Sequence, residues 1–226
     1  MFTGFTKETS DFFWELTFHN ERPWFKEHKE QYERVIGTPF KELALETLRL
    51  MNERYPEHQW QLHISRIYRD ARRLFGRGPF KDHLWFSIRR GDCPPHGPGF
   101  WFEVNARMVL YGMGAYEVRP EHMEAFRQSI AANPARFERL ALDVEEMGEF
   151  AVTGEEYKRP KGDLGPVINK WYNRRWIGLE RDLDFETAGL SPRLPETLAE
   201  AYARLMPMYE FFLEFTRVDD RREDHA

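Results

Sequence analysis

A single cysteine, Cys93, is the only thiol in the chain. It excludes an intrachain disulfide and any thiolate metal cluster built within one chain, and it fits a reducing compartment. Long apolar runs are missing too: nothing approaches the roughly 18 consecutive apolar residues of a spanning helix. The opening residues Met1 to Ser10 lack the basic-then-apolar order of a secretion signal. These absences predict a cytoplasmic protein with no membrane segment. Internal repeats and low-complexity linkers are also lacking, which predicts one domain over 1–218 followed by a short charged tail, 219–226, that is disordered. Three catalytic signatures are absent: the nucleophile elbow G-x-S-x-G, the zinc motif H-E-x-x-H and the phosphate loop G-x-x-x-x-G-K-[ST].

Rings are plentiful by contrast, with 19 Phe, 9 Tyr and 7 Trp, enough to build a large core. Formal net charge is -5, which argues against a generic polyanion binder. Positive charge is nevertheless concentrated in two places. Residues 61–91 hold eight Lys/Arg against two Asp/Glu, and residues 157–178 hold six against one.

The pattern along the chain predicts an α+β fold, a central antiparallel sheet flanked by N-terminal, middle and C-terminal helices. Thr9 or Ser10 is the expected cap of a first helix carrying Phe12, Phe13 and Leu16. Pro23 opens a second along Trp24, Phe25, His28 and Tyr32, which Gly37 is expected to close. Thr38-Pro39 opens a third that stops near Tyr55-Pro56. Period 2 then takes over. Trp60, Leu62 and Ile64, then Leu84, Phe86 and Ile88, then Phe100, Phe102 and Val104 each alternate with more polar residues. With a strand at Val109–Met113 they predict a three- or four-stranded meander, because the connections are too short for crossover helices. Pro120 and Pro134 start two middle helices, the second capped by Asn133. Residues 148–178 read as irregular apart from a strand near Glu149–Val152. A final helical stretch from Pro195 to Val218 is expected to kink or split at Pro207.

The first basic concentration centres on Ile64–His83, with Arg66, Arg69, Arg72, Arg73, Arg77 and Lys81 against Asp70 and Asp82. On an unbroken strand Arg66 and Arg72 share a face and Arg69 opposes them; a bend near Tyr68 lets the guanidiniums converge. Convergent forks beside a glycine-rich turn suit a phosphate or carboxylate, with Arg66, Arg69, Arg72 and Lys81 as ligands and Asp70 orienting an arginine or acting as acid/base. The alternative is structural, with Arg69, Asp70 and Arg72 tying acidic helices to the sheet. The second concentration interleaves Lys158, Arg159, Lys161, Arg174 and Arg175 with rings such as Trp171, a pattern that single-stranded nucleic acid can use. The acidic remainder of the chain weighs against nucleic acid.

His63, His83 and His96, with Glu103, fall on or beside adjacent strands, but their spacing carries no metal signature, and neither metal nor cofactor is expected. Cys93 and His96 share a loop in which proximity would raise thiolate character, without an evident third group.

In combination, Trp24-Phe25 with His28 and Tyr32, the run Arg66 to Arg72, Pro79-Phe80-Lys81, Gly114-Ala115-Tyr116 with Val118-Arg119-Pro120, and Lys158-Arg159-Pro160-Lys161-Gly162 resemble a widespread microbial family, domain of unknown function 2461. The resemblance extends from about Phe5 to Phe215 and implies a single α+β domain with no activity, substrate or catalytic residue attached. Members usually carry an acid, a lysine and a threonine where this chain has Gly76, Arg77 and Gly78, and Asn-Asn where it has His19-Asn20. Arg66, Arg69, Asp70, Arg72, Pro79 and Lys81 match.

Overall fold

The structure is a computed structural model that describes residues 1–217 apart from 71, 73, 75 and 117. The tail expected to be disordered, and Arg73 among the basic residues, lie outside the described residues. Eight helices and six strands are present among them, confirming the α+β class: α1 (Lys7–Phe18), α2 (Arg22–Glu27), α3 (Lys29–Tyr32), α4 (Thr38–Arg54), β1 (Gln61–Ile64), β2 (His83–Arg89), β3 (Gly99–Asn105), β4 (Met108–Ala115), α5 (Pro120–Ala132), α6 (Pro134–Met147), β5 (Ala151–Thr153), α7 (Pro166–Tyr172), β6 (Ile177–Asp184) and α8 (Leu194–Thr216). The strands form one antiparallel sheet in the order β1-β2-β3-β4-β6-β5. The chain divides into two compact units, neither continuous in sequence. One takes Met1–Ile88, Trp101–Tyr111 and Asp182–Glu200; the other takes Arg89–Phe100, Gly112–Arg181 and the residues from Ala201 onward. No described helix is long and apolar enough to cross a membrane.

In the first unit the period-2 residues turn inward as their alternation dictates, with Leu84, Phe86, Ile88, Phe102 and Val104 buried. Helix α4 lays Phe40 against Phe86 and Phe102, at centroid distances of 5.7 and 6.2 Å. The first helix starts earlier than expected, capped by Thr6. Thr9 instead occupies the first turn, where its hydroxyl accepts from Thr6 N–H at 3.2 Å and donates to the Val35 carbonyl at 2.6 Å. Gly37 does not close a helix. It keeps helical angles (φ -59, ψ -51), and a wide turn over Glu33–Gly37 carries the chain into α4. Pro39 permits this because it falls in the first turn of α4, where a missing N–H breaks no bond.

The second unit is a nest of rings. Phe126 of α5 meets Phe211, Phe212 and Phe215 of α8 at 6.1, 5.9 and 5.0 Å. Phe137 of α6 stands edge-on to Trp171 of α7 at 5.6 Å. Helix α8 runs unsplit through Pro207. Tyr202 and Tyr209, one before the proline and one after, both stack on Phe100, at 4.8 and 4.7 Å, and hold the two halves on one support.

Two elements fall where the sequence reads as irregular or unassigned, α7 and β6. The four-strand meander is therefore extended to six strands, with β5 paired on β6 in the register Val152 to Leu179. The charge run Glu180–Asp184 hides the alternation of β6. Its neighbour carries the missing signal: a Cβ at Gly112 would stand 1.9 Å from the Leu179 carbonyl oxygen. Backbone approach that close admits only glycine.

Candidate functional site

Strand β1 ends at Ile64, and the chain continues as the first arm of a narrow ribbon. Ser65 N–H donates to Trp85 O, Lys81 N–H to Ile67 O and Arg69 N–H to Pro79 O, each at 2.8 Å. Tyr68 and Phe80 form an antiparallel bridge between the arms. Ile67 and Phe80 point inward and are buried, while Tyr68 stays exposed. The bridged pair thus has one ring buried and one exposed, and the two arms carry Arg66, Arg69 and Lys81.

Phe80 anchors the ribbon. Its ring stacks on Phe25 at 4.1 Å and meets Tyr68 at 5.2 Å. Its backbone is held by the side-chain amide of Asn20, which donates to Phe80 O (3.0 Å) and accepts from Phe80 N–H (2.9 Å), as a neighbouring strand would. Arg69 Nε donates to the same carbonyl at 2.7 Å. A Cβ at Gly78 would lie 2.3 Å from Asn20 Cγ, so the glycine makes room for this clamp. Nearby, Trp24 is stacked between His19 and His28, at 5.6 and 4.1 Å. The N-terminal helices and the basic segment, remote in sequence, therefore meet around Phe80.

The segment's charges separate into two groups. Arg69 pairs with Asp82 at 3.2 Å, and Asp82 also bonds His83 Nδ1 at 3.0 Å. Burial pulls the Asp82 carboxyl upward, but His83 and Arg69 outweigh it and hold the group below the usual aspartate value. Arg72 turns back on Asp70, donating from Nε at 3.1 Å and from Nη2 at 2.9 Å while 88% exposed. Among the described residues the ion pairs of Arg69 and Arg72 are with Asp82 and Asp70, within the segment itself.

Arg66 and Lys81 behave differently. Arg66 is exposed and makes no ion pair among the described residues. Lys81 is half-buried, its ammonium 5.9 Å from the Trp85 ring centroid. Desolvation, then Arg69, then Arg66 push its pKa below the ordinary lysine value, with Glu103 opposing. Arg69 and Arg66 thus act on Lys81 through their charge, whereas Arg72 is engaged with Asp70.

The second basic concentration lies in the second unit and is also divided. Arg174 is consumed by scaffold, with Nε donating to Lys170 O at 2.6 Å and its Nη2 3.2 Å from Glu156. Trp171 is fully buried and offers no face for stacking a base. Lys158 and Arg159 are exposed. Lys161 and Arg175 flank the ring of Tyr157, at 4.7 and 5.2 Å.

The histidines disperse. His63 lies beside Trp85 at 5.2 Å, whereas His96 is near His122 at 5.6 Å in the second unit. Among the described residues no group of three His, Cys, Asp or Glu could hold a metal ion. Cys93 does not pair with His96: its thiol donates to Pro98 O at 3.3 Å, and Arg89 Nη2 lies 3.5 Å away. Burial, then the neighbouring Cys93, pushes the Tyr209 hydroxyl far above its usual range. Sequence reasoning missed Asn20 and Arg127. The signal for Arg127 was present: it occupies the apolar face of α5 with Met123 and Ile130, where a cation is out of place.

A family model described as a conserved hypothetical protein, DUF2461, matches residues 8–211. No curated protein matches the chain. The chain belongs to that family.

Proposed function

We propose that this member of the DUF2461 family binds a small anion, one bearing a phosphate or a carboxylate, through Arg66 and Lys81 on the ribbon of the first unit. One observation carries the reading. A half-buried ammonium lies in the field of two guanidiniums without an ion pair among the described residues, and burial first, then Arg69 and Arg66, disfavour its charged form. An incoming anion relieves that cost, because it supplies the opposite charge and replaces lost hydration. Arg69, with Phe80 O and Asp82 as partners, positions the ribbon and adds to the field. Arg72, exposed and turned back on Asp70, stands outside the site. Single-stranded nucleic acid is the weaker reading, since Trp171, the ring expected to stack a base in the second concentration, is core. The single cysteine, Cys93, supports a reducing, cytoplasmic setting.

The test is a thermal-shift screen of wild type against phosphate, nucleotides, sugar phosphates and dicarboxylates. A ligand present at 100 times its Kd and bound only by the native state adds about 2.7 kcal/mol of stability. The shift should be smaller in the Arg66→Ala, Lys81→Ala double variant than in wild type and unchanged in Arg72→Ala. If every anion leaves wild type unmoved, or the double variant shifts as wild type does, the reading is wrong.

A further inference from the structure

Arg127 has no part in the site just proposed, and its surroundings raise a separate question. It lies on the buried face of α5 at 5% exposure. Nε and Nη2 both donate to Glu124 Oε2, at 3.2 and 3.0 Å, but Nη1 is buried and has no hydrogen-bond partner among the described residues. A buried guanidinium normally spends all its N–H groups, so an idle, desolvated edge marks the place of an acceptor.

That guanidinium faces the Tyr157 ring at 5.7 Å, and on the same ring stand Arg175 at 5.2 Å and Lys161 at 4.7 Å. An aromatic face attracts one cation; three around one ring repel each other. Glu124 answers Arg127, and Glu155 lies 3.4 Å from Arg175 Nε, but both carboxylates are mostly exposed and Lys161 has no ion pair among the described residues. The backbone holds the cluster in place regardless. Tyr157 N–H donates to Asn173 O at 2.9 Å, Arg175 N–H to Glu155 O at 2.7 Å and Lys161 N–H to Asn173 Oδ1 at 2.7 Å. The cations therefore come preassembled from three places in the second unit: α5, the loop after β5 and the residues before β6.

We infer that Arg127, Lys161 and Arg175 form a binding site for a phosphate group beside Tyr157. Three donors arriving from three directions match the oxygens of a tetrahedral dianion better than the two coplanar oxygens of a carboxylate. The idle Nη1 supplies the fork edge, and Lys161 and Arg175 close the exposed side. This site is independent of Arg66 and Lys81.

The experiment is calorimetric titration of the full chain carrying Arg66→Ala and Lys81→Ala, with inorganic phosphate, glycerol 3-phosphate and acetate. Phosphate should bind in this background and acetate should not. Adding Lys161→Ala, at an exposed position that leaves the core intact, should weaken phosphate at least tenfold. Arg127→Lys, which keeps the charge but loses the fork, should weaken it more; an unchanged melting curve establishes that each variant is folded. Glycerol 3-phosphate binding as well as phosphate would identify a phosphomonoester as the ligand, and phosphate alone the free ion. Loss of all binding in the starting background, acetate binding as tightly as phosphate, or indifference to Lys161→Ala would overturn the assignment.

Discussion

The two basic regions look alike in sequence and are built on different logic. In the first unit the cations sit along one backbone ribbon, and their partners come from the same stretch: Asp70 for Arg72, Asp82 and Phe80 O for Arg69. In the second unit they are gathered from separate elements around the side of one ring. In both regions some arginines are already engaged by the protein, Arg69 and Arg72 in one and Arg174 in the other. The remaining cations, Arg66 and Lys81 or Lys161 and the free edge of Arg127, keep donors that the described protein does not use. Charge density in a sequence therefore says little about function until the committed cations are subtracted.

The largest test of this division is structural. Phe80→Ala should cost about 3–5 kcal/mol in urea unfolding, since it removes a buried ring stacked on Phe25. It should also abolish anion binding in the first unit while leaving the Lys161 site intact. Retention of both sites would mean that the ribbon does not depend on its anchor.

A smaller loss is expected for Asn20→Ala. Two hydrogen bonds to the Phe80 backbone disappear at about 0.5–1.5 kcal/mol each, so about 2 kcal/mol should be lost. Asn20→Asp should recover only the accepting bond. Equal stability of Asn20→Ala and wild type would remove the amide clamp from the account.

Lys81→Met sharpens the comparison further, because it separates stability from binding. The folded-state pKa of Lys81 is lowered, so the unfolded chain holds its proton more tightly. Wild type should then gain stability as pH rises through the folded pKa toward the ordinary value of 10.5, and Lys81→Met should lack that gain. Below that window the variant should melt slightly higher than wild type yet fail to bind the anion in the first unit. Anion affinity of wild type should fall over the same rise in pH as the ammonium is lost. The smallest effect belongs to Arg72→Ala: melting temperature and anion affinity should both stay within error, because its pair with Asp70 is surface-exposed.

Much of this could be read from the amino acids. The alternation in β2 and β3 and the proline starts of α5 and α6 fixed those elements because period and capping act locally. Strand β6 escaped because half of it is a charge run; what commits it is the room left by Gly112 against Leu179, a relation across strands. The basic segment was recognisable from composition, but the roles within it were not. Whether Arg69 points at a ligand or at Phe80 O depends on a ribbon closed by residues ten or more positions away. Arg127 was legible as a misplaced charge on an apolar helix face, and its meaning came only with Tyr157, thirty residues on.

The most direct test of the division is one calorimetric experiment in the Lys161→Ala background, where only the first unit answers. The anion chosen from the thermal screen is titrated into that chain with Lys81 intact, with Lys81→Met added and with Arg72→Ala added. The account predicts saturable binding for the first, loss of at least tenfold for the second and no change for the third. Equal affinity in all three, or a greater loss with Arg72→Ala than with Lys81→Met, would contradict it.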